Sequence, residues 1–332
     1  MSFLKRLAGL TTATLLFAGV AAAQSGPEFF EGKTVNYVVA TDPGGGYDTN
    51  GRLVAKFMEK HLPGSTFVIR NMPGAGHMIG ASYVYSAAPD GLTLGTFNTG
   101  LVYAQLTGEA GDRFDLGKMS WVGKLASDPR VIIVAKDSGI ASFADLAARK
   151  EPVRFAAAGV GSASTVETQM LINALGLPVE LITGYDGNDG LLAIRRGEVQ
   201  GILGARSSLE PFVKEGHGVM LAQIGGSQTD VPQLASLVEG NEAGQRVISL
   251  VTSQADISRL TAAPPGVPEE VLETLRGAYQ AAVTDPEFLA EAAKLELPVD
   301  PMVGAPLAEA VSGALNQTPE MVEFLKATLQ DD

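Results

Sequence analysis

Short β-branched runs alternate with stretches of helical periodicity along most of this chain, and that alternation restricts the fold more than any other feature. Residues 34–40 (TVNYVVA) precede a helical pattern at 50–61, and residues 66–70 (TFVIR) precede another at 79–86. Further strand-like runs follow at 92–97, 131–135, 153–157, 179–183, 201–203 and 219–224, with helical segments between most of them. Parallel strands need a long crossover, usually a helix, so strand and helix in alternation imply an α/β fold with parallel strands. From Pro268 onward only helical patterning is visible, as expected of a segment that covers a sheet already formed. Helix starts are marked at Ser142, which opens a capping-box-like Ser-Phe-Ala-Asp, and at Asp285-Pro286 and Thr318-Pro319, where a capping residue precedes proline.

Size and composition bound the rest. A chain of 332 residues exceeds what one hydrophobic core usually organises, so two domains are expected, and 45% hydrophobic residues support a fully folded chain. The chain has no cysteine, which excludes disulfides, thiol catalysis, thiolate metal sites and a lipid-modified N-terminal cysteine. Its net charge of −13 disfavours nucleic acid and anionic lipid as partners. At the N-terminus, Lys5 and Arg6 precede an apolar run from Leu7 to Val20 and then Ala21-Ala22-Ala23. That order reads as a secretory signal peptide over residues 1–23, with the mature chain starting at Gln24. The alternative, an uncleaved anchor, needs roughly 20 spanning residues, and this run is about 14 long.

Three segments could carry a site. Residues 41–48 (TDPGGGYD) join the first strand to the first helix, and their glycines serve either as a flexible turn or as a cradle for an anion at a helix start. A dinucleotide fingerprint fits poorly, because Gly44-x-Gly46 is followed by Thr49 where a third glycine should stand. Residues 74–80 (GAGHMIG) follow Pro73, and the next strand ends in Thr96-Phe97-Asn98 with no acid for a ribose. Residues 159–165 (GVGSAST) repeat the logic of the first loop in the second half, and Ser162 or Ser164 there either caps a helix or holds a ligand. Gly-x-Ser-x-Gly is absent from that loop, which argues against a hydrolase elbow. His61, His77 and His217 show no spacing of a dyad or metal site and read as surface or loop residues. Trp121 and Tyr185 read as core or interface aromatics. Arg206 follows a strand end, where it either contacts ligand or is solvated.

Read together, these segments resemble the extracytoplasmic receptors of tripartite tricarboxylate transporters, the Bug-type solute-binding proteins. The match is carried by residues 43–48 with Arg52, 71–80, 89–93, 159–162, 263–268 and 285–288, and it spans essentially the whole mature chain. The resemblance implies a two-domain periplasmic binding protein of the type II-like, Venus-flytrap form, each domain a mainly parallel sheet flanked by helices. Residues 24–126 with 228–332 would form one domain and 127–227 the other. It further implies a carboxylate in the interdomain cleft, held by Gly44, Gly45, Gly46, Tyr47, Asp48, Asn98 and Thr99 from one side. From the other side come Gly159, Gly161, Ser162, Ala163, Ser164, Thr165, Tyr185, Asp186, Asn188, Arg206 and Ser207.

Thr165 stands where many such receptors have histidine, and Arg206 lies in a segment that often carries aspartate. An arginine there favours mono- or dicarboxylates over amino acids. The expected protein is a periplasmic monomer, not an enzyme, with no cofactor and no metal. Its partners would be a small carboxylated metabolite and transporter membrane subunits, with no nucleic acid and no direct membrane insertion. A ligand-presenting subunit for a membrane kinase and a secreted hydrolase or isomerase are the competing readings.

Overall fold

The computed structural model describes residues 26–330, so the signal peptide and the start at Gln24 lie outside the described residues. The strands, in chain order, are β1 (Thr34–Val39), β2 (Thr66–Asn71), β3 (Thr93–Phe97), β4 (Ser120–Lys124), β5 (Arg130–Ala135), β6 (Val153–Ala156), β7 (Val179–Ile182), β8 (Gly201–Ala205), β9 (Gly218–Ile224), β10 (Leu260–Ala263) and β11 (Met302–Val303). They form two sheets, ordered β11-β4-β10-β3-β1-β2 and β7-β6-β8-β5-β9. Each sheet with its helices is a lobe.

Both lobes start from the expected strand-helix-strand unit. β1 pairs in parallel with β2 and β3, and β6 with β7 and β8. Val35, Tyr37, Val38 and Val39 of β1 are all buried, as expected for a strand covered on both faces. The helix Gly46–Lys60 that follows β1 buries Leu53, Val54, Phe57 and Met58, the three- and four-residue spacing of a single apolar face. Phe57 meets Phe288 edge-on at 5.4 Å between ring centroids, which ties that helix to the C-terminal region. Burial of each such side chain contributes about 1.5–3 kcal/mol.

Strand direction departs from the mainly parallel expectation. β10 runs antiparallel to β3 and β4, β11 antiparallel to β4, and β5 antiparallel to β8 and β9. The cause is the connection between lobes. Only residues 125–129 separate β4 from β5, too few for a crossover helix, so the chain passes directly from one sheet into the other. It returns through residues 256–259 into β10. The two passages are bonded to each other, Leu125 N–H to Arg259 O at 3.2 Å and Asp128 N–H to Ala255 O at 2.9 Å. β4 and β10 were not legible as strands because SWVGK and LTAA each hold a single β-branched residue and show no alternation, unlike the β-branched run of β5. β11 adds a short strand inside the C-terminal stretch that reads as helical.

By packing, the C-terminal segment serves both lobes. The helix Glu269–Thr284 places Leu272, Leu275 and Tyr279 in the core of the first. Val247, Ile248 and Val251 of the helix Glu242–Ala255, and Leu325 of Pro319–Gln330, pack with Val166, Met170 and Leu171 in the second. An apolar stripe on a helix does not specify which sheet it will cover. Among the described residues no helix is long and apolar enough to cross a membrane.

Candidate ligand-binding site

The loops that leave β1 and β6 face each other across the lobes, and between them lies a cavity of about 120 Å³. On one side the helix Gly46–Lys60 begins at the cavity wall, its N-cap Gly45 extended and without a side chain to shield the first-turn amides. On the other the helix Ala163–Leu175 begins, capped by Ser162, whose Oγ accepts from Thr165 N–H at 3.3 Å. The first-turn N–H groups of any helix lack intrahelical partners, so each start presents donors and the positive end of a helix dipole. Gly46, Tyr47, Ala163 and Ser164 all line the cavity.

The lobes touch around it. A Cβ on Gly76 would come within 2.7 Å of Gly161 backbone, and Asn188 Nδ2 donates to Gly44 O at 2.7 Å. Gly76 and Gly161 both have positive φ, a second reason for glycine at that approach.

Two buried ion pairs stand at the cavity. Arg130 Nε donates to Glu167 Oε2 at 2.8 Å, while its Nη2 donates to Glu167 Oε1 at 3.3 Å and to Thr99 Oγ1 at 3.1 Å. Tyr103 OH donates to Glu167 Oε1 at 3.2 Å. Burial pushes the Glu167 carboxyl upward, with Arg130 and Tyr103 opposing, and the net shift is above its ordinary value. The second pair joins Arg259 Nη2 to Asp128 Oδ2 at 2.7 Å, and Arg259 stacks on the Tyr47 ring with Cζ 4.3 Å from its centroid. A small cavity with two helix starts and two arginines in its wall can hold an anion between the lobes.

The model of the tripartite tricarboxylate transporter family receptor matches residues 51–324. The chain belongs to this family. Among proteins similar in sequence is a UPF0065 protein from the TAR-I ttuE-ttuC' intergenic region of Agrobacterium vitis, 29% identical over 299 residues, covering 87% of this chain and 81% of that protein. Among solved structures, the periplasmic binding protein BugD matches with a TM-score of 0.72 at 24% identity, covering 89% of this chain and 97% of BugD. MatC from Rhodopseudomonas palustris, solved with bound malate, matches with a TM-score of 0.71 at 23% identity, covering 90% of this chain and 99% of MatC. These likenesses show the fold. Membership makes the protein a solute receptor of a transport system, not an enzyme.

In this tripartite tricarboxylate transporter receptor, Gly45, Gly46, Tyr47, Asn98, Ala163, Ser164, Tyr185 and Asp186 come together on the cavity wall. The other expected residues stand behind it or beside it. Asp48 accepts from Gly44 N–H at 2.9 Å, Arg52 Nε at 2.8 Å and Asn71 Nδ2 at 2.9 Å, so it braces the loop. Burial raises its carboxyl, but those hydrogen bonds outweigh it and hold the group below the usual carboxylate range. Thr165 donates to Ala158 O and Gly159 O, each at 3.1 Å. Gly161 and Ser162 shape the second loop, and Thr99 is spent on Arg130. Ser207 donates its hydroxyl to Asp128 Oδ2 at 2.6 Å, and Asn188 bridges to Gly44.

Arg206 corrects the sequence reading. It is absent from the cavity wall, and its guanidinium donates to Gln223 Oε1 at 2.5 Å, Asp230 Oδ2 at 2.6 Å and Glu210 Oε1 at 3.2 Å. Those three acceptors turn the fork away from the ligand space, and the preference against amino acids loses the side chain on which it rested. His77 corrects a second expectation: it is 4% exposed, bonds to Ala40 O through Nδ1 at 2.6 Å and lines the cavity. Arg130, Glu167 and Arg259 were missed. Arg130 heads the apolar strand RVIIVA and Glu167 sits among Val166, Met170 and Leu171, so a charge embedded in an apolar pattern was the available signal. Arg259 gives no such signal.

Proposed function

We propose that this receptor captures a small mono-, di- or tricarboxylate between its lobes in the periplasm and delivers it to the membrane subunits of a tripartite tricarboxylate-type transporter. The observation that supports it is the convergence of two helix starts, from different sheets, on one cavity. A carboxylate there satisfies orphaned N–H groups of both lobes at once, so binding and lobe closure are a single event. The closed form, with Asn188 held against Gly44, is the shape presented to the transporter. Export and cleavage after Ala23 complete the reading, and mass spectrometry of the exported protein checks the start at Gln24.

A thermal-shift and calorimetry panel of mono-, di- and tricarboxylates tests the reading. A ligand at 100 times Kd adds roughly 2.7 kcal/mol of stability, a clear rise in melting temperature. If no carboxylate in the panel binds, and an uncharged metabolite does, the proposal fails.

A further inference from the structure

Arg259 lies on the return passage between the lobes, 3% exposed and with φ at +58°, a conformation rare for a long side chain. Such strain persists only where surrounding contacts over-determine it. Here they gather on one nitrogen: Nη2 donates to Asp128 Oδ2 at 2.7 Å, Ser207 Oγ at 3.0 Å and Ser208 Oγ at 3.3 Å, while Tyr47 lies under the plane. The guanidinium is held in place by that edge.

The rest of the fork is unspent. Nε is buried without a hydrogen-bond partner, on a residue that lines the cavity. Nη1 lies at the start of the Gly46–Lys60 helix, where a Cβ on Gly46 would come within 3.3 Å of it. Thr41 Oγ1, at the end of β1 and on the same wall, is also buried without a partner. Desolvated donors left unpaired are costly, and a bound acceptor removes the cost. Arg130 differs. Glu167 takes both its Nε and its Nη2, whereas Asp128 takes only the Nη2 of Arg259.

We propose that Arg259 is the specificity-determining residue of the site: with the Gly46 and Tyr47 amides it reads an ionised carboxylate at the first-lobe end. The Ala163 and Ser164 end carries neutral donors and accepts an oxygen of any charge. The ligand class is therefore an acid with one obligatory carboxylate and a second polar group across the cavity, free to be carboxylate, amide, carbonyl or hydroxyl. This assignment rests on the carboxylate-receptor reading above.

The test compares the tightest acid of the panel with the amide of the same carboxyl group, by calorimetry at matched salt. Wild type should bind the acid at least about thirtyfold tighter than that amide, the loss expected when one partner of a desolvated charged contact is removed. In Arg259→Gln the acid should weaken to within about threefold of the amide, whose own Kd moves little. Asp128→Asn/Arg259→Gln should show the same collapse, and it strands no lone buried charge if the single variant fails to fold. A wild-type ratio near one overturns the assignment, as does a folded variant that keeps the wild-type ratio within twofold. Either result leaves the carboxylate-receptor reading standing, whereas failure of every acid to bind wild type defeats that reading itself.

Discussion

Gly45 and Gly187 meet across the cleft so closely that a Cβ on Gly45 would lie 2.8 Å from Gly187 Cα. Gly45 itself has φ −82° and ψ 174°, an extended conformation that any residue adopts, so the contact and not the backbone requires glycine there. Gly45→Ala should therefore leave the ligand-free protein as stable as wild type while it opposes closure. Overpacking of about 1–3 kcal/mol placed on the closed form alone weakens binding by about tenfold or more. Calorimetric Kd together with small-angle scattering, with and without ligand, checks this. Unchanged affinity would mean that the lobes need not meet at Gly45 to hold ligand.

Arg206→Ala should leave ligand affinity within about twofold of wild type, because the residue is bonded to Gln223, Glu210 and Asp230 outside the cavity. Stability should fall by about 1–2 kcal/mol in urea unfolding, since the buried Gln223 Oε1 loses its donor. A large loss of binding with unchanged stability would restore it to the site.

Glu167→Ala should cost about 3–5 kcal/mol, because it strands Arg130, 2% exposed, without its counter-charge. Glu167→Leu/Arg130→Met, which removes both charges, should be less damaging than the single change. Urea midpoints of the three proteins decide it. Equal losses for single and double variants would show that the pair is not a coupled unit.

Asp285 caps the helix Pro286–Lys294 and accepts from Lys60 Nζ at 2.9 Å and His61 Nε2 at 3.0 Å. The Lys60 contact, with help from Glu287 N–H and His61, lowers its carboxyl to about 2. An unfolded aspartate titrates near ~3.9, so the folded state binds fewer protons between those values. The stabilisation is thus present above about pH 4 and is lost as pH falls toward 2. Asp285→Asn keeps a capping oxygen but not the charge. Its stability deficit against wild type should shrink between about pH 4 and 2, and a pH-independent deficit would contradict the ionic origin.

The α/β class was legible because strand and helix are chosen by neighbours: β-branched residues at 34–40 and a three-four apolar spacing from Leu53 to Met58 act over a single turn or pleat. So were the caps at Ser142, Ser162 and Asp285, each a contact over two or three residues. The loops at 44–48 and 159–165 could be named as site candidates because a glycine run before a helix is a local pattern. Which of their side chains reach the cavity is not a local matter. Asp48, Thr99 and Thr165 stand in or beside those loops yet spend their polar atoms on Gly44, Arg52, Asn71, Arg130, Ala158 and Gly159.

By itself, then, the sequence determined most of the elements, though not β4, β10 and β11, together with the strand-to-helix loops and, through the order of its motifs, the family. The tertiary structure alone decided the charges of the site. Arg130 meets Glu167 across 37 residues and Asp128 meets Arg259 across 131, and no rule of spacing couples positions so far apart. Asp128 and Arg259 meet because residues 125–129 and 256–259 pass side by side between the sheets, Arg130 meets Glu167 because β5 lies against the helix Ala163–Leu175 in the second lobe, and both arginines line the cavity. Arg206 shows the same physics in reverse. Its place just past a strand end is what the sequence offers, but a guanidinium goes to whichever acceptors the fold sets within reach, and Gln223, Glu210 and Asp230 stand on the side away from the ligand.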